Sequence, residues 1–286
     1  MPSPLANLHG TIMPLEEVRV SALDRGFLFG DAVYEVMRVY AGKVWLEREH
    51  MERLRRSLEE IRIQWIDLDR LAKRMHETIA AGPFGEAMVY VHVSRGSAPR
   101  KHAFPKSATP LELLWVQDYD DAATAKQREA GTKCITYPDI RWGRCDIKST
   151  NLLANVLANQ AAAEAEAAEA LLYLPDGTMS EASHSSFFTV KHGVVRTTPL
   201  KANILPGITR NFVLDLMRRA GISREEKPMS RAEPYRSDEV FLTGTTTETL
   251  AVVQIDDKTI GSGRPGPVTR RLQESHKAAV QEFVGA

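Results

Sequence analysis

Two ionisable residues in the second half of the chain stand in settings that suit catalysis. Lys148 lies in Asp146-Ile-Lys-Ser-Thr150, just before an Ala-rich helix expected from about residue 150 to 168. The positive end of a helix macrodipole disfavours an ammonium and so favours the neutral amine that a Schiff-base lysine needs. A solvated surface lysine is the alternative. Glu181, among the small hydroxyl residues of Thr178–Ser186, is either a turn residue or a fixed charge facing a pocket.

A predicted helix start offers an anion site. Leu205-Pro-Gly-Ile-Thr-Arg210 opens a helix that ends before Gly221, and the first turn of a helix carries unpaired backbone N–H groups that suit phosphate. Thr245-Thr246-Thr247 follows a predicted strand and could donate further hydrogen bonds. Ordinary helix capping is the alternative interpretation.

A basic loop offers a carboxylate site. Arg95 to His102 contains three cations and a histidine in eight residues. Arginine binds carboxylates through two parallel hydrogen bonds, so this loop could hold an acidic substrate if it faces a pocket. A solvated basic loop is the alternative.

Several other chemistries are excluded by pattern. Gly261-Ser-Gly-Arg-Pro-Gly266 has dinucleotide-loop spacing, but too little chain follows it to complete a βαβ unit, so we interpret it as a surface turn. No phosphate-loop or nucleophile-elbow motif occurs, and no Cys or His spacing typical of a metal site.

Composition narrows the class of protein further. The 37 Lys+Arg balance 37 Asp+Glu, which argues against a dedicated nucleic-acid binder. No stretch approaches the length of a transmembrane helix, and no secretory signal begins the chain. The only two cysteines, Cys134 and Cys145, do not form a disulfide framework. We therefore expect a cytoplasmic globular protein without a membrane or nucleic-acid partner.

The elements that must position these residues indicate an α+β fold. A first strand is expected over residues 10–20. Strands rich in β-branched residues come in hairpins such as Val33–Leu46, so the sheets should be mostly antiparallel or mixed. Helical periodicity follows at Met51–Ile61 and at Asp69–Ala81, and again near the end of the chain. We expect a small α+β domain over residues 1–118, an inter-domain linker over 119–132 and a larger domain over 133–286.

Six motifs, taken in order, give a resemblance that spans nearly the whole chain. They resemble those of the fold-type IV pyridoxal-phosphate enzymes, the class IV aminotransferase family. The resemblance implies a small N-terminal α/β domain and a larger C-terminal domain with a pseudo-barrel of mixed strands and helices. The motifs are Asp24–Glu35, Glu49–Leu54, Asp146–Leu153, Ser180–Ser183, Leu205–Arg210 and Thr243–Glu248.

The resemblance also implies residue roles around pyridoxal 5′-phosphate. Lys148 resembles the Schiff-base lysine, which also shuttles the proton, and Glu181 resembles the carboxylate on the pyridine nitrogen. Leu205 resembles the apolar residue that supports the ring, and Tyr34 a tyrosine beside the substrate. The phosphate-site residues implied are Arg53, Ile208, Thr209 and Thr245.

One loop suggests the subgroup. Arg-Gly-x-x-x-Arg-x-His-x-Phe-Pro, here Arg95–Pro105, is similar to the D-amino-acid transaminases. In those enzymes the second Arg and the His, with the Tyr, bind the substrate carboxylate; here they match Arg100, His102 and Tyr34. The resemblance leaves open which subunit of an expected homodimer supplies the Arg and the His. Two positions depart from the family pattern, Ala182 for a usual Gly and Ser186 for a common Asn.

The expected activity is therefore ping-pong transamination of a D-amino acid with a 2-oxo acid acceptor such as 2-oxoglutarate. An L-branched-chain aminotransferase and a 4-amino-4-deoxychorismate lyase, which eliminates pyruvate, are the enzymatic alternatives. A cofactor-binding or regulatory descendant is the alternative that is not an enzyme.

Overall fold

The computed structural model describes residues 3–286 and forms two compact units. The first unit runs to Asp120 and also includes Ile147–Asn151, and the second comprises Asp121–Asp146 and Leu152–Ala286. The domain limits expected from the sequence stay predictions, but the Lys148 segment belongs to the first unit. The physical reason is that Ile147 packs in the core of that unit.

The first unit is an antiparallel sheet of six strands in the order β2-β1-β6-β5-β3-β4. Two helices, α2 and α3, pack on one face of this sheet through Leu54, Leu58, Leu71 and Met75. A single turn of 3-10 helix, Leu15–Glu17, follows β2. The elements are β1 Leu5–Leu8, β2 Thr11–Pro14, α1 Arg25–Phe29, β3 Ala32–Tyr40, β4 Lys43–Val44, α2 Glu47–Glu60, α3 Leu68–Ala80, β5 Ala87–Ser94 and β6 Leu111–Asp118.

Alternation along β3 explains the packing of this sheet. Successive side chains of a strand point to opposite faces, and Val33, Met37 and Val39 enter the core while Tyr34 and Val36 between them are half-buried. The predicted hairpin is confirmed, with Tyr40 paired to Lys43 around Ala41-Gly42. The predicted strand over residues 10–20 is wrong in extent, because the chain first forms β1 and β2 is only four residues long.

The second unit contains a sheet of nine strands in the order β12-β11-β10-β13-β14-β7-β8-β9, with β15 paired to β14. A 3-10 turn, Pro234–Arg236, precedes β13. The elements are α4 Ala122–Ala130, β7 Thr132–Pro138, α5 Leu153–Glu164, β8 Glu169–Tyr173, β9 Met179–Ala182, β10 Ser186–Lys191, β11 Val194–Thr197, α6 Ile208–Arg219, β12 Arg224–Glu226, β13 Glu239–Gly244, β14 Glu248–Ile255, β15 Lys258–Thr259 and α7 Pro267–Gly285.

This sheet is mixed and curls back on itself. Strand β7 pairs in parallel with both β14 and β8, whereas β10, β13 and β14 form an antiparallel meander. Strands β9 and β10 are far apart in the pairing order, yet the Ala182 amide donates to the Ser185 carbonyl across the short turn that joins them. The closure indicates a partial barrel, and the predicted α+β class is confirmed.

Two further expectations differ in detail. The Ala-rich helix α5 begins at Leu153 rather than near residue 150, and α4 occupies most of the segment expected to be a linker. Gly261 and Gly263 adopt positive φ angles in the turn between β15 and α7, which fits the interpretation of that segment as a turn. In the described part of the chain, no helix is both long and apolar enough to cross a membrane.

Candidate active site

Lys148 lies on a short extended segment that pairs with the start of β3. The Tyr34 amide donates to the Lys148 carbonyl at 3.0 Å, and the Thr150 amide donates to the Ala32 carbonyl at 3.1 Å. The Lys148 amide also donates to Ser57 Oγ of α2, at 3.2 Å. These bonds fix the backbone of Lys148, so only its side chain remains to be oriented.

The macrodipole argument for Lys148 is wrong. Lys148 precedes the N-cap of α5, Leu152, by four residues, and a helix dipole acts mainly within its first turn. The segment is extended because its backbone pairs with β3.

The Lys148 ammonium contacts the face of Tyr34. The distance from Nζ to the ring centroid is 4.3 Å, which is a cation–π contact. Tyr34 in turn stacks on Tyr90 at 5.5 Å, and Tyr90 stacks on Trp115 at 3.9 Å. Burial and the neighbouring Tyr34 raise the pKa of Tyr90 to about 12. The lysine therefore meets a wall of aromatic rings, in which Tyr90 stays uncharged at neutral pH.

A buried ion-pair cluster underlies the same strand. Glu35 accepts hydrogen bonds from Arg53 Nε at 2.7 Å and from Arg53 Nη2 at 2.8 Å, and His50 Nδ1 lies 2.8 Å from Glu35 Oε2. Burial opposes ionisation of Glu35, but Arg53 and His50 prevail and lower its pKa to about 2. Burial, reinforced by the charges of Arg53 and Lys148, lowers the pKa of His50 although Glu35 raises it. Arg53, a predicted phosphate residue, is thus oriented by a carboxylate.

The two predicted carboxylate-binding residues share an aromatic contact. The Arg100 guanidinium and the His102 ring each lie 5.4 Å from the Phe29 ring centroid. Both side chains are exposed. Within residues 3–286 neither has a hydrogen bond, ion pair or ring contact with Tyr34. The structure therefore brings Arg100 and His102 together but does not join them to Tyr34.

In the second unit, Glu181 sits in a buried charge network. Arg141 donates through Nη1 to Glu181 and through Nε and Nη2 to Asp139, the latter at 2.9 and 2.7 Å. The Ser180 hydroxyl donates to Asp139 at 2.6 Å, and the Leu205 amide lies 3.4 Å from both Glu181 carboxylate oxygens. Glu181 and Leu205, which were predicted from separate motifs, are therefore neighbours.

The protonation of Glu181 is balanced between two effects. Burial raises its pKa, while the charge and hydrogen bond of Arg141 lower it, and the net direction is upward. Burial also opposes the charge of Arg141, but Asp139 and Glu181 outweigh it and raise the pKa of the guanidinium. A positive group next to Glu181, such as a protonated pyridine nitrogen, would favour the carboxylate.

The start of α6 forms a close-packed anion cradle. Gly207 is its N-cap and provides no side-chain cap, so the amides of Ile208 and Thr209 lack the usual capping partner. A Cβ on Gly207 would lie 2.9 Å from Ser186 Oγ. The chain approaches closely here, and only glycine fits without displacement.

The hairpin turn after β13 lies beside the same strand, β10. Gly244 is surrounded by two hydroxyls, since a Cβ there would lie 2.6 Å from Thr247 Oγ1 and 3.0 Å from Ser185 Oγ. Thr247 Oγ1 is buried without a hydrogen-bond partner in the described residues. Thr245 lies in this turn. An unpaired buried hydroxyl next to free helix amides fits a phosphate group.

The two departures from the family pattern are accommodated. The Ala182 methyl belongs to a residue that is 1% exposed and packs with the core of the second unit. Ser186 occupies the space beside Gly207. Among the described residues there is no group of side chains that could hold a metal ion.

Four participants were not found from the sequence: Glu35, His50, Asp139 and Arg141. A signal for Glu35 existed, because a carboxylate within the strand-like run Val33-Tyr-Glu-Val-Met37 requires a cation if it is buried. Arg141 carried no comparable signal, since it lies 40 residues from Glu181 in an irregular segment.

Comparison with known proteins identifies the class. The model of the class IV amino-transferase family matches residues 32–255. A D-alanine aminotransferase of Bacillus licheniformis is 40% identical over 269 residues, which cover 93% of each chain. The Escherichia coli branched-chain amino acid aminotransferase has a similar structure, with a TM-score of 0.90, 26% identity and coverage of 96% of this chain and 93% of that one. The branched-chain amino acid aminotransferase of T.th., solved with pyridoxamine 5′-phosphate, gives a TM-score of 0.89, 25% identity and coverage of 98% and 95%.

The chain belongs to the class IV aminotransferases, so the resemblance of its motifs and the fold type predicted from them are confirmed. It is a pyridoxal-phosphate-dependent aminotransferase, because that cofactor is common to the family and the anion cradle and the Glu181 network suit its phosphate and its pyridine nitrogen.

Proposed function

We propose that this aminotransferase takes D-amino acids as amino donors and a 2-oxo acid such as 2-oxoglutarate as acceptor. The observation that carries the proposal is the loop Arg95–Pro105, on which Arg100 and His102 lie together against Phe29. Its similarity to a D-alanine aminotransferase over 93% of the chain supports the same assignment.

Residues from several of the motifs would hold the cofactor. When bound, pyridoxal phosphate supplies an electron sink that weakens the Cα–H bond of an amino acid. Glu181 would hold a proton on the pyridine nitrogen, and Leu205 would support the ring. The amides of Ile208 and Thr209, with Arg53 and Thr245, would bind the phosphate.

Lys148 would hold the cofactor and take the proton from the substrate Cα. Its backbone is fixed on β3 and its Nζ contacts the Tyr34 ring, so the amine approaches from one direction. Arg100, His102 and Tyr34 would orient the substrate carboxylate through charge-assisted hydrogen bonds. Because Lys148 acts from one side only, the position of the carboxylate anchor selects which enantiomer presents its Cα proton.

The main alternative is an L-branched-chain aminotransferase, which is what the two solved structures described above are. A branched-chain substrate has an apolar side chain and needs no basic loop beyond its carboxylate contacts, so the cations of Arg95–His102 favour the D-amino-acid assignment. The deoxychorismate lyase would release pyruvate without consuming a 2-oxo acid acceptor.

An amino-donor screen tests the proposal. Holoenzyme is incubated with 2-oxoglutarate and each of a set of paired D- and L-amino acids, and the new 2-oxo acid is quantified. We expect turnover of D-alanine or D-glutamate and slower turnover of their enantiomers. Turnover of L-leucine, L-isoleucine or L-valine alone would establish the branched-chain alternative, and pyruvate release from aminodeoxychorismate without an acceptor would establish the lyase. No turnover in any arm would leave a non-catalytic descendant.

A homodimer is the assembly we propose. Helix α5 exposes Leu153, Val156 and Leu157, which are 73%, 58% and 46% accessible on one face, and an apolar helix face of this kind suits a subunit contact. Sedimentation equilibrium of the purified holoenzyme checks this, and a monomer at micromolar concentration would refute it. The cytoplasmic location stays part of the same proposal.

Mixed dimers decide which subunit supplies Arg100. Subunits carrying Lys148→Ala and subunits carrying Arg100→Ala are unfolded, mixed and refolded together. If Arg100 acts on the neighbouring subunit, each mixed dimer contains one intact site, and random pairing restores about a quarter of the wild-type activity. If Arg100 acts within its own subunit, the mixture is no more active than the two separate variants.

A further inference from the structure

Arg25 is a buried cation that holds the backbone of the basic loop. It lies in α1 and is only 3% exposed. Its Nη1 donates to the Lys101 carbonyl at 2.6 Å and to the Ala103 carbonyl at 3.4 Å, and its Nη2 donates to the His102 carbonyl at 3.1 Å. One guanidinium thus binds three consecutive carbonyl groups, which fixes the path of the loop from Lys101 to Ala103.

The helix that carries Arg25 also provides the surface on which the loop side chains rest. Phe29 contacts the Arg25 guanidinium at 4.8 Å, and its ring is the shared contact of Arg100 and His102. The rotamers of Arg100 and His102 therefore depend on a ring that is itself placed by α1.

A shared carboxylate links Arg25 to the start of the loop. Asp31 Oδ2 accepts from Arg25 Nε at 2.7 Å and from Arg95 Nε at 2.8 Å, and Asp31 Oδ1 accepts from Arg95 Nη2 at 3.0 Å. Arg95 also stacks over Phe104, 3.6 Å from the ring centroid. Both ends of the loop and its middle are therefore attached to one buried charge cluster.

We propose that Arg25 is a positioning residue that sets the affinity and the enantiomer preference for the substrate carboxylate by holding the carbonyls of Lys101, His102 and Ala103. This inference rests on the proposed role of Arg100 and His102. The planar fork of a guanidinium is required, because a lysine ammonium reaches the same place as a single point charge and cannot bind three carbonyls in a row.

Arg25→Lys tests the geometry while it keeps the charge. We expect the KM for D-alanine to rise about tenfold or more, since small misplacements of a binding group are costly. The ratio of kcat/KM for D- over L-alanine should fall, whereas the affinity for pyridoxal phosphate should stay within roughly a factor of two of wild type. A merely structural role would lower the melting temperature without separating KM from kcat.

Arg38→Lys is the matched control. Arg38 is another buried arginine of the same unit, 2% exposed, and it also binds a backbone carbonyl, that of Ala87, at 3.0 Å. We expect a comparable loss of thermal stability but no change in the KM for D-alanine. If Arg25→Lys changes KM and the enantiomer ratio no more than Arg38→Lys does, the inference is overturned.

A variant that lacks both loop side chains separates this inference from the proposed function. Arg100→Ala with His102→Ala should raise the KM strongly, and adding Arg25→Lys to that variant should raise it no further, because interacting residues are not additive. If removal of the two side chains leaves the KM unchanged, the carboxylate role of the loop fails. If that removal acts and Arg25→Lys still adds its full effect, Arg25 acts by another route and only the positioning inference fails.

Discussion

Replacing Arg141 with methionine should convert Glu181 from a carboxylate into a carboxylic acid. Arg141 is the cation that opposes the effect of burial on Glu181, and the two side chains are 6% and 7% exposed. Methionine keeps much of the volume of the side chain but removes the charge and the hydrogen bonds to Glu181 and Asp139. The pKa of Glu181, already raised by burial, then rises further.

The size of the effect follows from the contact. An adjacent opposite charge typically changes a carboxyl pKa by about 1–3 units, and each unit corresponds to about 1.4 kcal/mol. The variant therefore loses about 1.4–4 kcal/mol of preference for the charged form of Glu181, and the proton on the pyridine nitrogen loses its counterion over the same range. At neutral pH we expect kcat to fall by about ten- to a thousandfold.

The pH dependence distinguishes this cause from a general structural defect. Because the Glu181 pKa rises in Arg141→Met, the variant should be least active at low pH and should recover activity as the pH increases. Glu181→Gln has no carboxyl group to titrate, so its loss should be the same at every pH between about 6 and 9. The measurement is kcat for D-alanine with 2-oxoglutarate across this range, with cofactor occupancy monitored by absorbance.

Arg144→Met is the control, since Arg144 lies three residues further on, is 43% exposed and pairs with Asp146 rather than with Glu181. It should retain the wild-type profile. A profile of Arg141→Met that is parallel to the wild-type one, or full activity at the acidic end of the range, would refute the electrostatic role of Arg141.

Three further results are expected. Glu35 has a folded pKa of about 2, so its charge stabilises the fold above its ordinary pKa of 4.5 and this contribution is lost as the pH falls toward 2; it amounts to about 3 kcal/mol. Glu35→Gln should therefore flatten the urea-denaturation stability between about pH 5 and 2, and an unchanged acid dependence would contradict the ion pair. Gly207→Ala should weaken pyridoxal phosphate binding about tenfold by fluorescence titration, because its Cβ would meet Ser186, while Gly143→Ala, which points into open space, should not. Lys148→Ala should lower kcat by about 10²–10⁴-fold, and borohydride treatment of the wild type should leave the pyridoxyl label on the peptide containing Lys148; a label on another lysine would disprove its role.

Local pattern determined most of the elements. The hairpin at Ala41-Gly42, the helices α2 and α3, and the helix that begins after Gly207 were predictable, because turn residues and hydrophobic periodicity act over a few neighbouring positions. The motifs likewise predicted which residue types carry the chemistry, including Lys148 and Glu181.

Local pattern failed where a distant strand competes for the backbone. The Ala-rich composition favours helix from residue 150, yet Thr150 donates to Ala32 and Ser149 bridges Val33. Pairing with β3 satisfies backbone groups that a helix would otherwise satisfy, so α5 starts later and Lys148 is presented from an extended segment. Helix propensity is weak enough for such tertiary contacts to override it.

The charge environment of the site was decided by tertiary structure alone. Glu181 meets Arg141 across 40 positions of the chain, and Arg25 meets the loop at Lys101 across 76. Nothing in the spacing of these residues encodes the pairing, because buried charges find partners only when strands and loops from distant segments close around them. The protonation of Glu181 and the orientation of Arg100 therefore depend on burial and on contacts that exist only in the folded chain.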